Sequence, residues 1–260
     1  MVSPSHHRLI IASVVLIIAV ILVVSLNLQS PSDINELLQG ELRVAVDASL
    51  PPFAYYVGEE LKGIEIELAR AVAAQLGVKV VFTNMSFDSL YDALLINRVD
   101  AVIAALVISP HRTADFRYTR PYFDNGLVLV SETGLTPERL QHATLSFEFG
   151  SDAHSFASRW KIYTPGLVKR PYESPRYALD ALGTEEADAA LIDNLTYQQY
   201  ISERADTVLE AISVSHVPFA IAVSRERDPL AHHINKALNE LVDTGILEGI
   251  VNNGFKQTIP

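Results

Sequence analysis

From residue 42 onward the sequence alternates between short apolar runs and longer amphipathic segments, and this alternation restricts the fold more than any other feature. The runs at residues 42–46, 78–82 and 100–108 are typical of buried strands, and residues 65–77 and 88–98 between them have helical spacing. Strands that are joined by crossover helices pair in parallel. We therefore expect an α/β protein with a mostly parallel sheet.

The same alternation continues to the end of the chain, which is long enough for two domains of ordinary size. Three of the later helices are predicted from an N-cap residue at their first turn. The further elements are expected in this order: a helix from Thr136, a strand at residues 143–149, helices from Ser151 and from Ser174, a strand at 187–193, a helix at 194–204, a strand at 217–224 and helices at 229–255.

Two blocks of the sequence look alike. Residues 94–106 (LLINRVDAVIAAL) and 181–193 (ALGTEEADAALID) both run from a helix through a polar turn and Asp-Ala to an apolar strand. One interpretation is that the same supersecondary unit is used once in each domain. The other is that any two α/β units share such features.

The amino terminus is predicted to hold the protein at a membrane. Residues 9–26 contain only Leu, Ile, Val, Ala and Ser. This segment is long enough to cross a bilayer, and it is longer than the apolar core of most cleaved signals. We favour an uncleaved anchor within residues 1–32 over a signal cut after Ser25. Arg8 precedes the segment and acids follow it, so the remainder is expected outside the cytoplasmic membrane.

Composition excludes several classes of function. A net charge of −11 argues against a nucleic-acid partner. The absence of cysteine rules out disulfides, thiolate metal sites and a lipidated cysteine. The histidines lack ligand spacing and no nucleotide-binding or hydrolase motif occurs, so we expect no metal, no cofactor and no catalytic residue.

Polar and aromatic residues follow the predicted strands, where open α/β sheets bind ligands. Arg112 lies beside a predicted helix start at Ser109, so its guanidinium and free backbone N–H groups suit a carboxylate; the alternative is a surface pair with Asp115. A cation, two acids, two rings and a glycine turn together suit a small zwitterion. The other strand-end residues are Asp47, Phe53, Phe87, Gly150, Ser151 and Asp193.

The order and spacing of these residues resemble the family 3 extracellular solute-binding proteins, the amino-acid receptors of ABC importers. The resemblance covers about residues 41–256. It is carried by "VDASLPPF", "GIEIELARAVA", "DAVIAALVISPHR" and "DFRYTRPYF", of which residues 100–123 are the most specific. It implies a two-lobe, Venus-flytrap fold of type II, like that of the periplasmic binding proteins. Its first lobe would comprise residues 41–128 and 216–260, and its second lobe residues 129–215.

The resemblance also implies roles for individual residues. Arg112 would hold the α-carboxylate of an amino acid, and Asp193 of the other lobe would hold its ammonium group. Asp47 would face the ligand side chain and Phe87 would pack on it. Because the two charged groups of the ligand are paired from opposite lobes, the ligand would favour hinge closure.

Four positions depart from the family pattern. Leu50 stands where the family usually has an aromatic residue that stacks on the ligand. Ala105 replaces a glycine or serine, and its backbone can still bind the ligand. Val107 replaces a threonine or serine, so a hydroxyl group is missing. Asp152 stands where a hydroxyl or glycine would bind the carboxylate, so it favours a basic ligand unless it only caps its helix.

We therefore predict a receptor, not an enzyme, that captures a polar or basic amino acid or a related amine and delivers it to an ABC transporter permease. One alternative is an enzyme on the same scaffold, like cyclohexadienyl dehydratase, with Glu148, Asp152 or Asp193 as its acid. Another is a sensor domain that signals through a partner.

Overall fold

The structure is a computed structural model that describes residues 34–204 and 208–257. The predicted anchor at residues 9–26 lies outside these residues and stays a prediction. Within the described ranges, every helix is too short or too polar to cross a bilayer. The chain divides into two units between Gln39 and Gly40, and the fold described below is that of the second unit.

The elements follow one another from helix α1, which precedes Gly40, to helix α8. The strands are β1 (Glu41–Val46), β2 (Ser49–Leu50), β3 (Ala54–Val57), β4 (Glu60–Lys62), β5 (Lys79–Asn84), β6 (Ala101–Val102), β7 (Phe116–Asp124), β8 (Leu127–Ser131), β9 (Thr144–Glu148), β10 (Val168–Tyr172), β11 (Ala189–Asp193), β12 (Glu210–Ser213) and β13 (Pro218–Ser224). The helices are α1 (Ile34–Leu38), α2 (Ile64–Gln75), α3 (Leu90–Leu95), α4 (Asp152–Tyr163), α5 (Pro175–Gly183), α6 (Asn194–Ser202), α7 (Asp228–Asp243) and α8 (Ile246–Gln257).

Two five-stranded sheets have the same internal order. The first is β5-β1-β6-β13-β7 and the second is β10-β9-β11-β8-β12. In each sheet four strands run one way and one strand, β13 or β8, runs the other way. The predictions of a mostly parallel arrangement and of two α/β lobes are therefore confirmed.

The two similar sequence blocks take equivalent places in these sheets. The first ends in β6 and the second in β11, and each is the third strand of its sheet, preceded by a helix. Apolar residues from both blocks lie in the lobe cores, with Val102 and Leu191 having no exposed surface. The interpretation as one supersecondary unit used twice is confirmed.

Two short segments connect the sheets, one between β7 and β8 and the other between β12 and β13. Asp124 binds both: its Oδ1 accepts N–H bonds from Gly126 at 2.9 Å and Val217 at 2.7 Å, and its Oδ2 lies 2.5 Å from Nδ1 of His216. A Cβ on Gly126 would lie 1.8 Å from the carbonyl oxygen of Ser215, so only glycine allows the segments to run this close together.

The structure corrects several local predictions. The predicted helix at Arg112 is a three-residue 3-10 turn, and so is the one at Thr136; neither Ser109 nor Thr136 makes a side-chain cap bond. The helices that begin after Ser151 and Ser174 are confirmed, with both hydroxyls accepting capping N–H bonds.

The third strand of the first sheet is much shorter than its apolar run predicts. Its ladder covers only Ala101–Val102, because Ala105 takes a positive φ of 47° that turns the chain out of the sheet. Leu95, the last residue of α3, is 52% exposed, although its helix has apolar spacing.

A buried carboxylate fastens the first sheet to its helical cover. The side chain of Asp100 is 3% exposed, and its carboxylate accepts hydrogen bonds from Nε and Nη2 of Arg43 at 3.0 and 2.7 Å. It also forms an ion pair with Arg227, which precedes α7. Its own N–H donates to the carbonyl of Arg43 at 2.8 Å. The carboxylate thus joins β1, the start of β6 and the helical segment at the carboxyl end of the chain.

We predict that Asp100→Asn lowers the free energy of unfolding by roughly 2–4 kcal/mol, because two guanidinium groups lose the charge that offsets their desolvation. Glu60→Gln is the matched control, since Glu60 pairs with Lys62 on an exposed hairpin, and it should cost less than about 1 kcal/mol. Urea unfolding of both variants measures the difference. Equal losses would contradict a structural role for the buried pair.

Candidate functional site

The connecting segments bring together the carboxyl edges of the parallel strands in both sheets. Asp124 at the end of β7 pairs with Pro218 at the start of β13, which runs antiparallel to β6. Asp193 at the end of β11 pairs with Leu127 at the start of β8. The residues that follow β1, β5, β6, β9 and β11 therefore lie at the two edges that the connections join.

A cavity of about 290 Å³ lies on the second-sheet side of this junction. It brings together three of the predicted site residues, Ser151, Asp152 and Asp193. Its other lining residues come from the connecting segments, from β8, β9 and β11, and from the starts of α4 and α5: Asn125, Leu127, Glu148, Ala153, Phe156, Pro175, Leu191, Ile192, Ser215 and Val217.

Three carboxylates line this cavity, and no lysine, arginine or histidine does. Asp193 caps α6, with its two oxygens accepting the N–H of Thr196 at 2.9 Å and its hydroxyl at 2.8 Å. The carboxylates of Glu148 and Asp152 have no partner among the described residues. The cavity is therefore suited to a cationic group.

The turn before α4 satisfies its own polar groups. The hydroxyl of Ser151 donates to the carbonyl of Glu148 at 2.8 Å and accepts the N–H of His154 at 3.3 Å. The N–H of Gly150, a residue with φ 82°, donates to Nδ1 of His154 at 3.2 Å. Ser151 is the cap of this helix, so the alternative that Asp152 caps it is wrong.

Arg112 lies on an aromatic platform. Its Cζ is 4.1 Å from the ring centroid of Tyr91, and no ion pair joins it to Asp115, although the structure describes both side chains. Tyr91 is held by the ring of Phe116 at 4.7 Å and by a 2.9 Å hydrogen bond between its hydroxyl and that of Tyr118. A guanidinium that stacks on a ring keeps its N–H edges free for a carboxylate.

Ala105 lies in the segment that follows β6, and Asp47 follows β1, the parallel neighbour of β6. The N–H of Ala105 faces Glu65 Oε1 at 2.5 Å and the hydroxyl oxygen of Tyr122 at 3.1 Å. This N–H is therefore already used within the protein, and the prediction that the backbone of Ala105 binds the ligand stays a prediction.

Phe53 is a predicted contact that the structure contradicts. It has no exposed surface and packs at 5.1 Å from Phe123 and 5.5 Å from Phe219, measured between ring centroids. It is therefore a core residue that packs on rings from β7 and β13. Three further predicted residues are exposed at or near the first-sheet edge, outside the cavity lining: Leu50, Phe87 and Val107.

Sequence reasoning missed two residues that the geometry singles out, Tyr91 and Glu65. It named Glu148 only as an acid of the enzyme alternative, although Glu148 ends β9 and the strand-end rule that found Asp193 could have added it to the ligand contacts. Tyr91 and Glu65 lie on helices, where a pattern of apolar residues says nothing about which polar side chain reaches a neighbouring loop.

The sequence profile described as "Bacterial extracellular solute-binding proteins, family 3" matches residues 42–257. The Escherichia coli K12 protein called "Putative ABC transporter arginine-binding protein 2" is 26% identical over 224 residues, which cover 83% of this chain and 91% of that protein. The unliganded open L-cystine receptor of Neisseria gonorrhoeae is 26% identical, with a TM-score of 0.73 over 86% of this chain and 95% of that one. An ancestral cyclohexadienyl dehydratase also reaches a TM-score of 0.73, at 19% identity over 87% of this chain and 97% of that one, which shows the fold alone. The periplasmic-binding-protein-like fold is confirmed.

We predict that Asp193→Ala lowers the free energy of unfolding by about 1 kcal/mol, because α6 loses its N-cap. Asp193→Asn should be nearly neutral for stability, since asparagine caps helices about as well as aspartate. Chemical denaturation of both variants checks this. An equal loss in the two variants would mean that the charge, and not the cap, stabilises the helix.

Proposed function

Since this chain belongs to the family 3 bacterial extracellular solute-binding proteins, we propose that it captures a polar or basic amino acid, or a related amine, by hinge closure and delivers it to an ABC transporter. The observation that carries the proposal is a cavity beside the connecting segments that is lined by Asp193 and two further acids, while Arg112 is stacked on Tyr91 in the segment that follows β6. In this proposal the first lobe comprises residues 41–128 and 216–260, and the second lobe residues 129–215.

Arg112 is the proposed partner of the ligand's α-carboxylate. Its stacking on Tyr91 fixes the plane of the guanidinium before the ligand arrives, so less side-chain entropy is lost on binding. Two parallel hydrogen bonds from the N–H groups of the Arg112 guanidinium would hold the carboxylate of the ligand. Asp47 remains the proposed partner of the ligand side chain, with Leu50, Phe87 and Val107 as apolar contacts around it.

Asp193 is the proposed partner of the ligand's ammonium group. Its oxygens already cap α6, and a carboxylate oxygen accepts more than one hydrogen bond, so capping and ligand binding are compatible. Glu148 and Asp152 add two unpaired acids to the same cavity. This excess of negative charge supports a basic ligand, and the similarity to an arginine-binding protein agrees with that preference.

Closure requires that the ligand-binding groups be coupled to the connecting segments. Asn194 follows Asp193 directly, donates its Nδ2 to the carbonyl of Asp124 at 2.8 Å, and donates its N–H to the carbonyl of Gly126 at 3.0 Å. A ligand that draws Asp193 towards Arg112 would therefore act close to the hinge. Hydrogen bonds that form only in the closed state make the ligand bind that state more tightly than the open state. Binding therefore shifts the equilibrium between the open and closed states towards closure.

The proposed site of action is outside the cytoplasmic membrane, in keeping with an extracellular family. We propose that residues 9–26 anchor the protein there. No cysteine is available for a lipid anchor, so a helix in the bilayer would keep the receptor near its permease.

An enzyme on the same scaffold is the second candidate, because acids line the cavity and one structural neighbour is a dehydratase. The named sequence relative is a binding protein. Incubation with prephenate or arogenate followed by mass spectrometry separates the two, and turnover of either compound would overturn the receptor proposal.

We predict that Arg112→Ala lowers the affinity for the ligand roughly 100-fold or more, because two charge-assisted hydrogen bonds are lost. The ligand is first found by a thermal-shift screen of the twenty amino acids, polyamines and opines on the full chain, and the affinity is then measured by calorimetry. Arg117→Ala is the control, since Arg117 pairs with Asp228 at the surface. Unchanged affinity in Arg112→Ala would refute the carboxylate assignment.

We predict that Asp152→Thr strengthens the binding of neutral amino acids several-fold and weakens that of L-arginine. The substitution removes an unpaired negative charge from the cavity and supplies a hydroxyl that can bind a carboxylate. Calorimetry with L-glutamine and L-arginine measures both effects. If no neutral amino acid gains affinity, repulsion by Asp152 does not determine selectivity.

A further inference from the structure

Glu65 is a buried acid that the proposed ligand contacts leave unused. It lies in the first turn of α2, and its side chain is covered by the turn at residues 52–53, whose carbonyl oxygens accept the N–H groups of Ile64 and Glu65 at 3.0 and 2.9 Å. Only 1% of its surface is exposed. A buried carboxyl group with no basic partner is costly to ionise.

Two hydrogen bonds join Glu65 to the ligand edge of the first sheet. Its Oε1 accepts the N–H of Ala105 at 2.5 Å and the hydroxyl of Tyr122 at 2.5 Å. Tyr122 lies on β7 two residues before Asp124. Ala105 lies in the segment that follows β6, and Asp47 follows β1, the parallel neighbour of β6. Glu65 is thus in contact with the segment after β6 and with the strand that leads to the hinge.

The titratable groups that act on Glu65 are Tyr122 and Asp47. On its own helix, Glu67 and Arg70 pair with each other at the surface, and α8 presents Gly254 against the neighbouring Ile64. The pKa of Glu65 is raised to about 7. Burial is the main cause, the bonds from Tyr122 and Ala105 act against it, and the negative charge of Asp47 adds to it. Among the described residues, no cation contributes to the environment of Glu65.

We propose that Glu65 is a second, buried counter-charge behind Asp47 for a cationic group of the ligand, and that it releases a proton to solvent when that group binds. The inference rests on the proposed function, because it needs a ligand whose side chain faces Asp47. It makes Glu65 a positioning and specificity residue: the ionised form holds Ala105 and Tyr122 more tightly and favours a cation over a neutral side chain.

The direction of the pH dependence follows from linkage. In the free protein the pKa of Glu65 is raised to about 7, and a ligand cation near Asp47 lowers it, so the ligand binds the ionised form more tightly. Affinity for a cationic ligand therefore rises as the pH rises through 7 and levels off above it. Between pH 6 and pH 8 the increase should be about tenfold, which is the change in the ionised fraction of the free protein.

The test is calorimetry of the full chain at pH 7 with L-arginine and with L-glutamine, in phosphate and in Tris buffer. These buffers differ in ionisation enthalpy, so the difference in heat counts the protons released. Wild type should release about half a proton per L-arginine, because a group with a pKa of about 7 is half protonated at this pH, and distinctly less per L-glutamine.

Glu65→Gln keeps an oxygen acceptor for Ala105 and Tyr122 but carries no proton to release, so it should abolish both the release and the tenfold pH effect. Glu67→Gln, on the exposed face of the same helix, is the matched control and should preserve both. The comparison of L-arginine with L-glutamine in wild type needs no variant, so the test stands even if Glu65→Gln fails to fold.

The outcomes separate this inference from the proposed function. Binding of L-arginine without proton release, or release that persists in Glu65→Gln, overturns the role of Glu65 and leaves the receptor proposal intact. If neither amino acid binds and no cation from the screen does, the proposed function fails and the inference fails with it.

Discussion

The carboxylate of Asp124 holds together the two segments that connect the sheets, and the arrangement of the candidate site depends on it. Its hydrogen bonds to Gly126 and Val217 and its contact with His216 place both crossings side by side. Burial raises the pKa of Asp124, but these bonds outweigh burial and lower it, so the carboxylate stays ionised. Because both crossings leave their sheets at the carboxyl edges of parallel strands, the two edges must meet at this point.

That constraint explains why polar residues from distant parts of the chain lie close to the same junction. Each sheet supplies residues from the ends of its strands, and the two sets differ in character. The first sheet supplies Asp47 at the end of β1, and Arg112 is stacked on Tyr91 in the segment that follows β6. The second sheet contributes a cavity lined by Glu148, Asp152 and Asp193. A ligand with separated positive and negative groups gains from both edges at once, which supports capture by closure.

Much of the fold could be predicted from the sequence, because its signals are local. Ser151 and Ser174 cap the helices expected of them, and the alternation of apolar runs predicts the mostly parallel sheets that form. The failures have tertiary causes. Phe53 follows a Pro-Pro turn and looks exposed, yet the ring cluster of the first lobe encloses it. Arg112 follows a Ser-Pro start signal, yet only a 3-10 turn forms before β7 begins.

The sequence by itself determined the α/β class, the repeated unit and the strand ends at which the proposed binding residues lie, because periodicity and caps act over a few residues. The family motif at residues 100–123 added the membership that the profile over residues 42–257 confirmed. Only the tertiary structure decided that Glu65 reaches Ala105 and Tyr122, and that Tyr91 lies under Arg112. These contacts join residues far apart in the chain, and their partners are selected by the packing of helices on sheets, which no local pattern encodes.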